Sequence, residues 1–261
     1  MKRIILLVIA TLSVLVTDAQ CLKIEYAGDV LSEKEQQLVE RMMVYQIRFY
    51  RLFGLRDSLK VKLTVFNERS VAEFYLDTIG VSKNNSVKNI NGLYSSKRKE
   101  AIIMEMDKNR KKGLSVIYHE LSHYLTREIT GTNPPMWLSE GLSEYFENCE
   151  VGKKSIRHSM TPYEKGRIRS MYMLGEVNLR IFVNSDRSMF MKKQRTDEQY
   201  AYILAHALTT FMLENVSRQF FSDFITLLQD KTDRAKVSDK IARVYTGGFE
   251  AFETDFEKFC E

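Results

Sequence analysis

Cysteine, proline, tryptophan and histidine are scarce in this chain of 261 residues, which contains 3, 3, 1 and 4 of them. Three cysteines are too few for a disulfide scaffold. The few prolines, with only 12 glycines and no low-complexity tract, argue against long linkers and favour a compact, helix-rich body. The length allows one large domain or two subdomains that share a core. Disulfide-scaffold and low-complexity classes of protein are therefore excluded.

The three cysteines are Cys21, Cys149 and Cys260. In an exported protein one bridge could form, with Cys149 and Cys260 as the favoured pair, and free or buried thiols are the open alternative. None of the three lies in a CxxC pair, so we do not expect cysteine to ligate a metal.

The net charge of +5 is spread along the chain rather than concentrated in one basic patch. The two short basic runs, Lys97-Arg98-Lys99 and Arg110-Lys111-Lys112, resemble solvated turns. Aromatic residues do not alternate with them as they do on nucleic-acid surfaces. We therefore expect no nucleic-acid partner.

Residues 1–19 have the pattern of a secretory signal peptide. Lys2 and Arg3 precede an apolar run from Ile4 to Val16, and small residues up to Ala19 supply a cleavage site. The run is shorter than the roughly 20 residues that a membrane span requires. We expect an exported protein, periplasmic or extracellular, without a transmembrane span in the mature chain. Lipid attachment at Cys21 is an alternative, although Gln20 is not the small residue that such a site requires.

Apolar periodicity predicts an α+β fold with its strands in the first half of the chain. Alternation with period two predicts strands at residues 22–26, 61–66, 93–96 and 101–106. Helical spacing predicts helices at residues 33–53, 70–76, 114–129, 136–148, 162–174, 197–214, 218–228 and 249–259. Ser32 and Ser70 are the expected N-caps of the first two, and Ser32 forms a capping box with Glu35. We expect a small mixed sheet with helices in an N-terminal subdomain (20–130) and an all-helical C-terminal subdomain (131–261).

The motif His119-Glu120-Leu121-Ser122-His123 lies within the predicted helix 114–129. Residues four apart on a helix project from one face, so the two imidazoles could bind one metal ion. Glu120 is rotated by about 100° from His119 and is not placed as a third ligand. It can instead reach a metal-bound water and act as its general base.

A second acidic helix follows the motif, in the segment from Trp137 to Tyr145. Pro134 and Pro135 separate it from the first helix, which allows the second to turn back across the first. Glu140 would then complete a set of two histidines and one glutamate, as in catalytic zinc sites. Glu144, one turn later, could accept the remaining N–H of His119.

The sequence HELSH followed by PPMWLSEGLSEYFE resembles the gluzincins, a zinc peptidase group, and is most similar to its compact peptidase MA-like members. The resemblance covers about a quarter of the chain with any specificity. It implies a zincin-like fold in which His119, His123 and Glu140 bind Zn²⁺, Glu120 is the base and Glu144 supports the ligands. Many members have Asn where this chain has Ser139.

The donor that stabilises the oxyanion of the tetrahedral intermediate is sought in the helix 197–214, which resembles the corresponding peptidase helix. Tyr202 fits its register best, followed by His206, one turn later, and then by Tyr200. Core packing is the competing interpretation for these aromatic residues. We expect His158, which has no acidic neighbour in sequence, to be a surface residue.

These features predict a secreted zinc metallopeptidase that acts on a peptide or protein substrate. In the resembled group, the substrate pairs with an edge strand, for which the hairpin between residues 93 and 106 is the candidate. One alternative is a zinc-binding protein of the same fold without proteolytic activity, either a recognition module or a hydrolase of another substrate. A structural envelope protein with a fortuitous motif is a further alternative.

Overall fold

The computed structural model describes residues 12–17, 20–55, 58–81, 90–131, 134–196 and 199–261. Its strands are β1 (Leu12–Thr17), β2 (Gln20–Gly28), β3 (Ser58–Val65), β4 (Gly92–Ser95), β5 (Glu100–Ile103), β6 (Cys149–Val151) and β7 (Ile156–His158). Its helices are α1 (Glu33–Arg51), α2 (Arg69–Thr78), α3 (Arg110–Thr130), α4 (Met136–Glu147), α5 (Pro162–Met173), α6 (Leu179–Val183), α7 (Arg187–Thr196), α8 (Tyr200–Glu214), α9 (Arg218–Gln229), α10 (Val237–Val244) and α11 (Gly248–Cys260). Among the helices in these ranges, none has the length and apolar content needed to cross a bilayer.

The main sheet is mixed and has the strand order β1-β2-β3-β5-β4. β2, β3 and β5 run parallel, whereas β1 and β4 pair antiparallel with their neighbours. β5 is buried along its whole length, as expected of an inner strand, and β4 is half-buried at one end of the order. The fold is therefore α+β, as the periodicity predicts.

The chain forms two compact units. The first comprises the described residues up to Ile47 and those of the segment 56–124, and so contains the main sheet. The second comprises Arg48–Leu55 and Leu125–Glu261, in which helices predominate. Helix α3 is continuous from Arg110 to Thr130 and contributes residues to both units.

In the first unit, helix α3 is fixed at several points along its length. At its start the Arg110 guanidinium forms a two-pronged ion pair with Glu35, whose carboxylate also closes the predicted capping box with Ser32. Further along the helix, the Tyr118 carbonyl accepts a hydrogen bond from Gln46 on α1 (2.9 Å). These contacts hold both the axial position and the rotation of the helix.

In the second unit, α4 is fixed by its buried aromatic residues. The Trp137 indole N–H donates to the Val183 carbonyl (2.9 Å), and its ring stacks on Phe224 of α9. Phe146, near the other end of α4, packs edge-on against Phe49, which α1 contributes to this unit. Each of these aromatic anchors removes a large apolar area from water.

Several details differ from the sequence predictions. The second half of the chain is mainly helical but is not all helix, because β6 and β7 form an antiparallel hairpin. Helix α2 begins after Glu68, so the N-cap predicted at Ser70 is wrong. Cys149 and Cys260 are free and buried, so the bridge between them is not formed. Most of the predicted signal peptide, residues 1–11, 18 and 19, lies outside the described residues, as does the predicted loop from 82 to 89.

Glu100, the first residue of β5, is a fully buried carboxylate with four donors. Thr64 and Tyr75 hydroxyls donate to Oε1 at 2.6 and 2.7 Å, Arg98 donates to Oε2 at 2.6 Å, and the Lys62 ammonium lies 3.1 Å away. Burial acts to raise the pKa of Glu100, but the hydrogen bonds from these donors outweigh it and lower the pKa. The folded first unit is therefore stabilised by the ionised form.

We predict that Glu100→Gln lowers the free energy of unfolding by about 2–3 kcal/mol at pH 7, because it removes a charge on which several donors converge. A lowered pKa gives stability that is present above the ordinary value of about 4.3 and lost as the pH falls. The difference between wild type and variant should therefore shrink below about pH 4. Urea denaturation at several pH values measures it. Glu73→Gln, on the exposed face of α2, is the control and should change stability by less than about 0.5 kcal/mol. A pH-independent difference between wild type and Glu100→Gln would contradict the stabilising role of the ionised carboxylate.

Candidate metal centre

The two histidines of the HExxH motif lie one turn apart on α3. The helix begins where the Asn109 side chain accepts a hydrogen bond from the Lys112 amide, and it ends at Gly131, whose φ is +88°. Between these ends the helical rotation brings the His119 and His123 rings to a centroid distance of 4.8 Å at 78°. Both imidazoles therefore point to the same region, as the spacing predicts.

Glu140 joins the two histidines. Helix α4 begins at Met136, directly after the two prolines, and Glu140 is buried on it with 6% of its surface exposed. One potential ligand atom from each of His119, His123 and Glu140 lies within 4.8 Å of the others. These three groups could hold a metal ion. Nitrogen and carboxylate donors at this spacing fit a transition metal better than Ca²⁺ or Mg²⁺, which prefer oxygen ligands alone.

The Glu120 side chain is buried against the first residue of β4. It is 6% exposed, and a Cβ atom added to Gly92 would lie 2.7 Å from Glu120 Oε1 and 2.5 Å from a methyl group of Val116. Only a glycine leaves this space to the carboxylate. The absence of a side chain at Gly92 thus contributes to the position of Glu120.

Glu144 lies close to His119 in the structure, one turn after Glu140 on α4. Potential ligand atoms of His119, Glu144 and Glu147 form a second group within 4.8 Å of one another. This proximity is compatible with the expected support of His119 by Glu144. The supporting role itself stays a prediction.

Three residues of α8 were expected to compete for the role of oxyanion donor. Tyr202 is partly exposed, and its ring packs edge-on against Phe190. The Tyr200 hydroxyl donates to the Glu176 carbonyl (3.0 Å), and His206 is fully buried. The donor role of each of the three stays a prediction.

His158 is not the surface residue that the sequence indicates. Its side chain is 3% exposed, its ring stacks on Tyr145 at 3.8 Å, and its Nδ1 lies 2.8 Å from Glu214. Its Nε2 faces the Nε2 of His206 at 2.9 Å. The sequence offered no signal for this pair, because the two histidines are 48 residues apart.

The histidine pair is enclosed by carboxylates at both ends. Nδ1 of His206 lies 2.8 Å from Glu164 Oε1, and the Tyr145 hydroxyl donates to the same Glu214 oxygen that faces His158. Burial acts to raise the pKa of Glu164, but the hydrogen bond from His206 outweighs it and lowers the pKa to about 2. Burial lowers the pKa of His158. The cluster spans α4, β7, α5 and α8 of the second unit.

The site and fold together define an α+β protein with buried histidine and glutamate groups that could hold a metal ion. Residues 113–236, just under half of the chain, are similar to a family described as "Protein of unknown function (DUF1570)". The matched segment includes the HExxH motif, Glu140 and the histidine cluster, and the description assigns it no activity. A comparison with curated proteins found no match.

Helix α4 approaches α8 so closely that only a glycine fits at residue 141. A Cβ atom there would lie 2.2 Å from Thr209 Oγ1 and 2.3 Å from the Ala205 carbonyl oxygen. Since Gly141 follows Glu140 directly, this approach also fixes the position of Glu140 relative to α8.

We predict that Gly141→Ala destabilises the protein by about 1–3 kcal/mol, because the clash with backbone outweighs the higher helix propensity of alanine. Thermal and urea unfolding measure the change. Gly166→Ala is the matched control, since Gly166 is an exposed residue of α5 with no atom within 4 Å of an added Cβ. That control should gain up to about 1 kcal/mol. Equal effects of the two substitutions would refute the close-packing argument.

Proposed function

We propose that this protein is a zinc-dependent metallohydrolase, and specifically a peptidase that is exported from the cell. The observation that carries the proposal is the convergence of His119, His123 and Glu140, with their ligand atoms within 4.8 Å of one another. A hydrolase also requires a general base, and Glu120, which is buried next to His119 in the same helix, is the proposed base.

The donor set supports zinc as the metal. Two imidazoles and one carboxylate are a known ligand set of catalytic zinc, which leaves one coordination position for water or substrate. When bound, zinc polarises a substrate carbonyl and lowers the pKa of its water to about 7. His119 and His123 would hold it as neutral imidazoles, and Glu144 would orient His119 through its second nitrogen.

In this mechanism Glu120 accepts a proton from the attacking water and passes it to the leaving nitrogen. Tyr202 is the proposed donor to the developing oxyanion. Its side chain is partly exposed and therefore accessible to a substrate, whereas Tyr200 and His206 are buried.

The position of β4 supports an extended peptide as the substrate. β4 lies at the end of the strand order of the described sheet, where a further strand could add. Its first residue, Gly92, adjoins Glu120. A peptide that adds antiparallel to β4 would therefore pass beside the base, with main-chain hydrogen bonds as its main contacts. A zinc hydrolase of another substrate would not need an edge strand beside its base, and a recognition module would not need the base.

We predict that Glu120→Gln retains zinc but loses at least about 100-fold in peptide hydrolysis, because it removes the base and not a ligand. Glu140→Ala should bind one zinc fewer than wild type and lose activity with it. Zinc content by mass spectrometry and cleavage of a broad peptide library measure both effects. Glu150→Ala, an exposed carboxylate of β6, is the control and should change neither.

The outcomes distinguish the alternatives. Zinc binding without cleavage of any peptide would favour the recognition module or a non-peptide hydrolase. An unchanged zinc count in Glu140→Ala would remove Glu140 from the ligand set. Absence of zinc in the wild type would overturn the proposal.

Gly92→Ala tests the position of Glu120 separately from its chemistry. We predict unchanged zinc content and a kcat about 10–100-fold lower, because the new methyl group displaces the carboxylate by about 1 Å. The nearest atoms to the added Cβ belong to Val116 and Glu120 and not to the proposed ligands. Ser95→Ala on the same strand is the control. Activity at the wild-type level in Gly92→Ala would show that Glu120 does not need this space.

A further inference from the structure

The contacts within the histidine cluster of the second unit need one more positive charge than neutral imidazoles and carboxylates supply. His206 Nδ1 faces Glu164 and His158 Nδ1 faces Glu214, while the two Nε2 atoms face each other at 2.9 Å. If both Nδ1 atoms carry protons for their carboxylates, a neutral pair would have two Nε2 lone pairs in contact. The geometry therefore requires one further positive charge, either a shared proton or a metal ion.

A metal ion on His206 Nδ1 satisfies every contact with neutral imidazoles. His206 Nε2–H then donates to His158 Nε2, His158 Nδ1–H donates to Glu214, and the Tyr145 hydroxyl donates to the same carboxylate. This is the outer support that metal-bound histidines usually have, namely a second nitrogen that donates into a hydrogen-bonded chain ending at a carboxylate.

Glu144 and Glu164 supply the remaining ligands. Their carboxylates and His206 each offer one atom within 4.8 Å of the others. The orientation of the Glu164 carboxylate is fixed, because its Oε2 accepts hydrogen bonds from the Thr161 amide and hydroxyl at 2.7 Å and its Oε1 faces His206. A metal ion, unlike a proton shared between the imidazoles, would use the Glu144 and Glu164 carboxylate atoms that lie within reach of His206.

We propose that Glu144, Glu164 and His206 form a second metal site that takes a first-row divalent cation. This site shares Glu144 with the centre on the HExxH helix, where the same residue is the proposed support of His119. One imidazole with two carboxylates suits this class of ion better than all-oxygen sites or thiolate sites do. His158 and Glu214 hold the His206 ring in the tautomer that leaves Nδ1 free to bind.

The test counts Zn²⁺ bound at equilibrium to protein first stripped with a chelator. We expect two per chain in wild type and one in Glu164→Gln, which retains the capping box because glutamine can replace glutamate there. His123→Ala should also bind one, and the double variant none. Glu150→Gln is the matched control and should bind two. Circular dichroism establishes that each variant is folded.

A second variant tests the supporting chain without removing a ligand. Glu214→Gln should leave two sites and weaken one of them by about 10–100-fold. If Glu164→Gln fails to fold, this measurement decides instead, and an unchanged affinity overturns the second site.

The outcomes separate this site from the proposed function. A single Zn²⁺ in wild type that is lost in His123→Ala and kept in Glu164→Gln overturns the second site and leaves the peptidase proposal intact. A single Zn²⁺ with the opposite behaviour supports the second site and overturns the peptidase centre. No bound Zn²⁺ overturns both and leaves a shared proton as the charge between the imidazoles.

Discussion

The fixed rotation between neighbouring residues of an α-helix is the constraint on which the candidate metal centre depends. It places His119 and His123 side by side on α3 and turns Glu120 away from them by about 100°, toward the space that Gly92 leaves open. Ligands and base are thus separated by geometry within five consecutive residues. Their relative positions are correct only while α3 stays regular, which explains the value of an ion pair at its start and of the hydrogen bond to its Tyr118 carbonyl.

Local features of the sequence were sufficient for this part of the site. The Ser32 capping box and the prolines before Met136 act within one turn of chain, and they set the first residues of α1 and α4 correctly. The proximity of His119 to His123 likewise needs nothing beyond helical spacing. The arrival of Glu140 beside them is a tertiary event, and the sequence indicated it only through the apolar face of α4 and the resemblance to known zinc peptidases.

What the sequence did not indicate depends on residues far apart along the chain. His158 lies in a polar stretch, and the partners that bury it, His206 and Glu214, are 48 and 56 residues away. The hairpin of β6 and β7 was missed because strands of three residues are too short to show alternation. The close approaches at Gly92 and Gly141 could not be predicted either, since the sequence does not indicate which atoms lie where a glycine's side chain would be.

The contact between α4 and α8 lies within the second unit and brings together the surroundings of Glu140 and His206, one candidate ligand from each group. Gly141 adjoins the Ala205 backbone, and these residues directly follow Glu140 and directly precede His206, respectively. A single close approach of two helices therefore sets the position of one ligand for each proposed site. Displacement of α4 along α8 would move Glu140 relative to His206, and the contacts of Trp137 with Val183 and Phe224 oppose such a displacement. Metal binding at either site should consequently stabilise the packing on which the other depends, because a ligand that binds only the folded state shifts the equilibrium toward it.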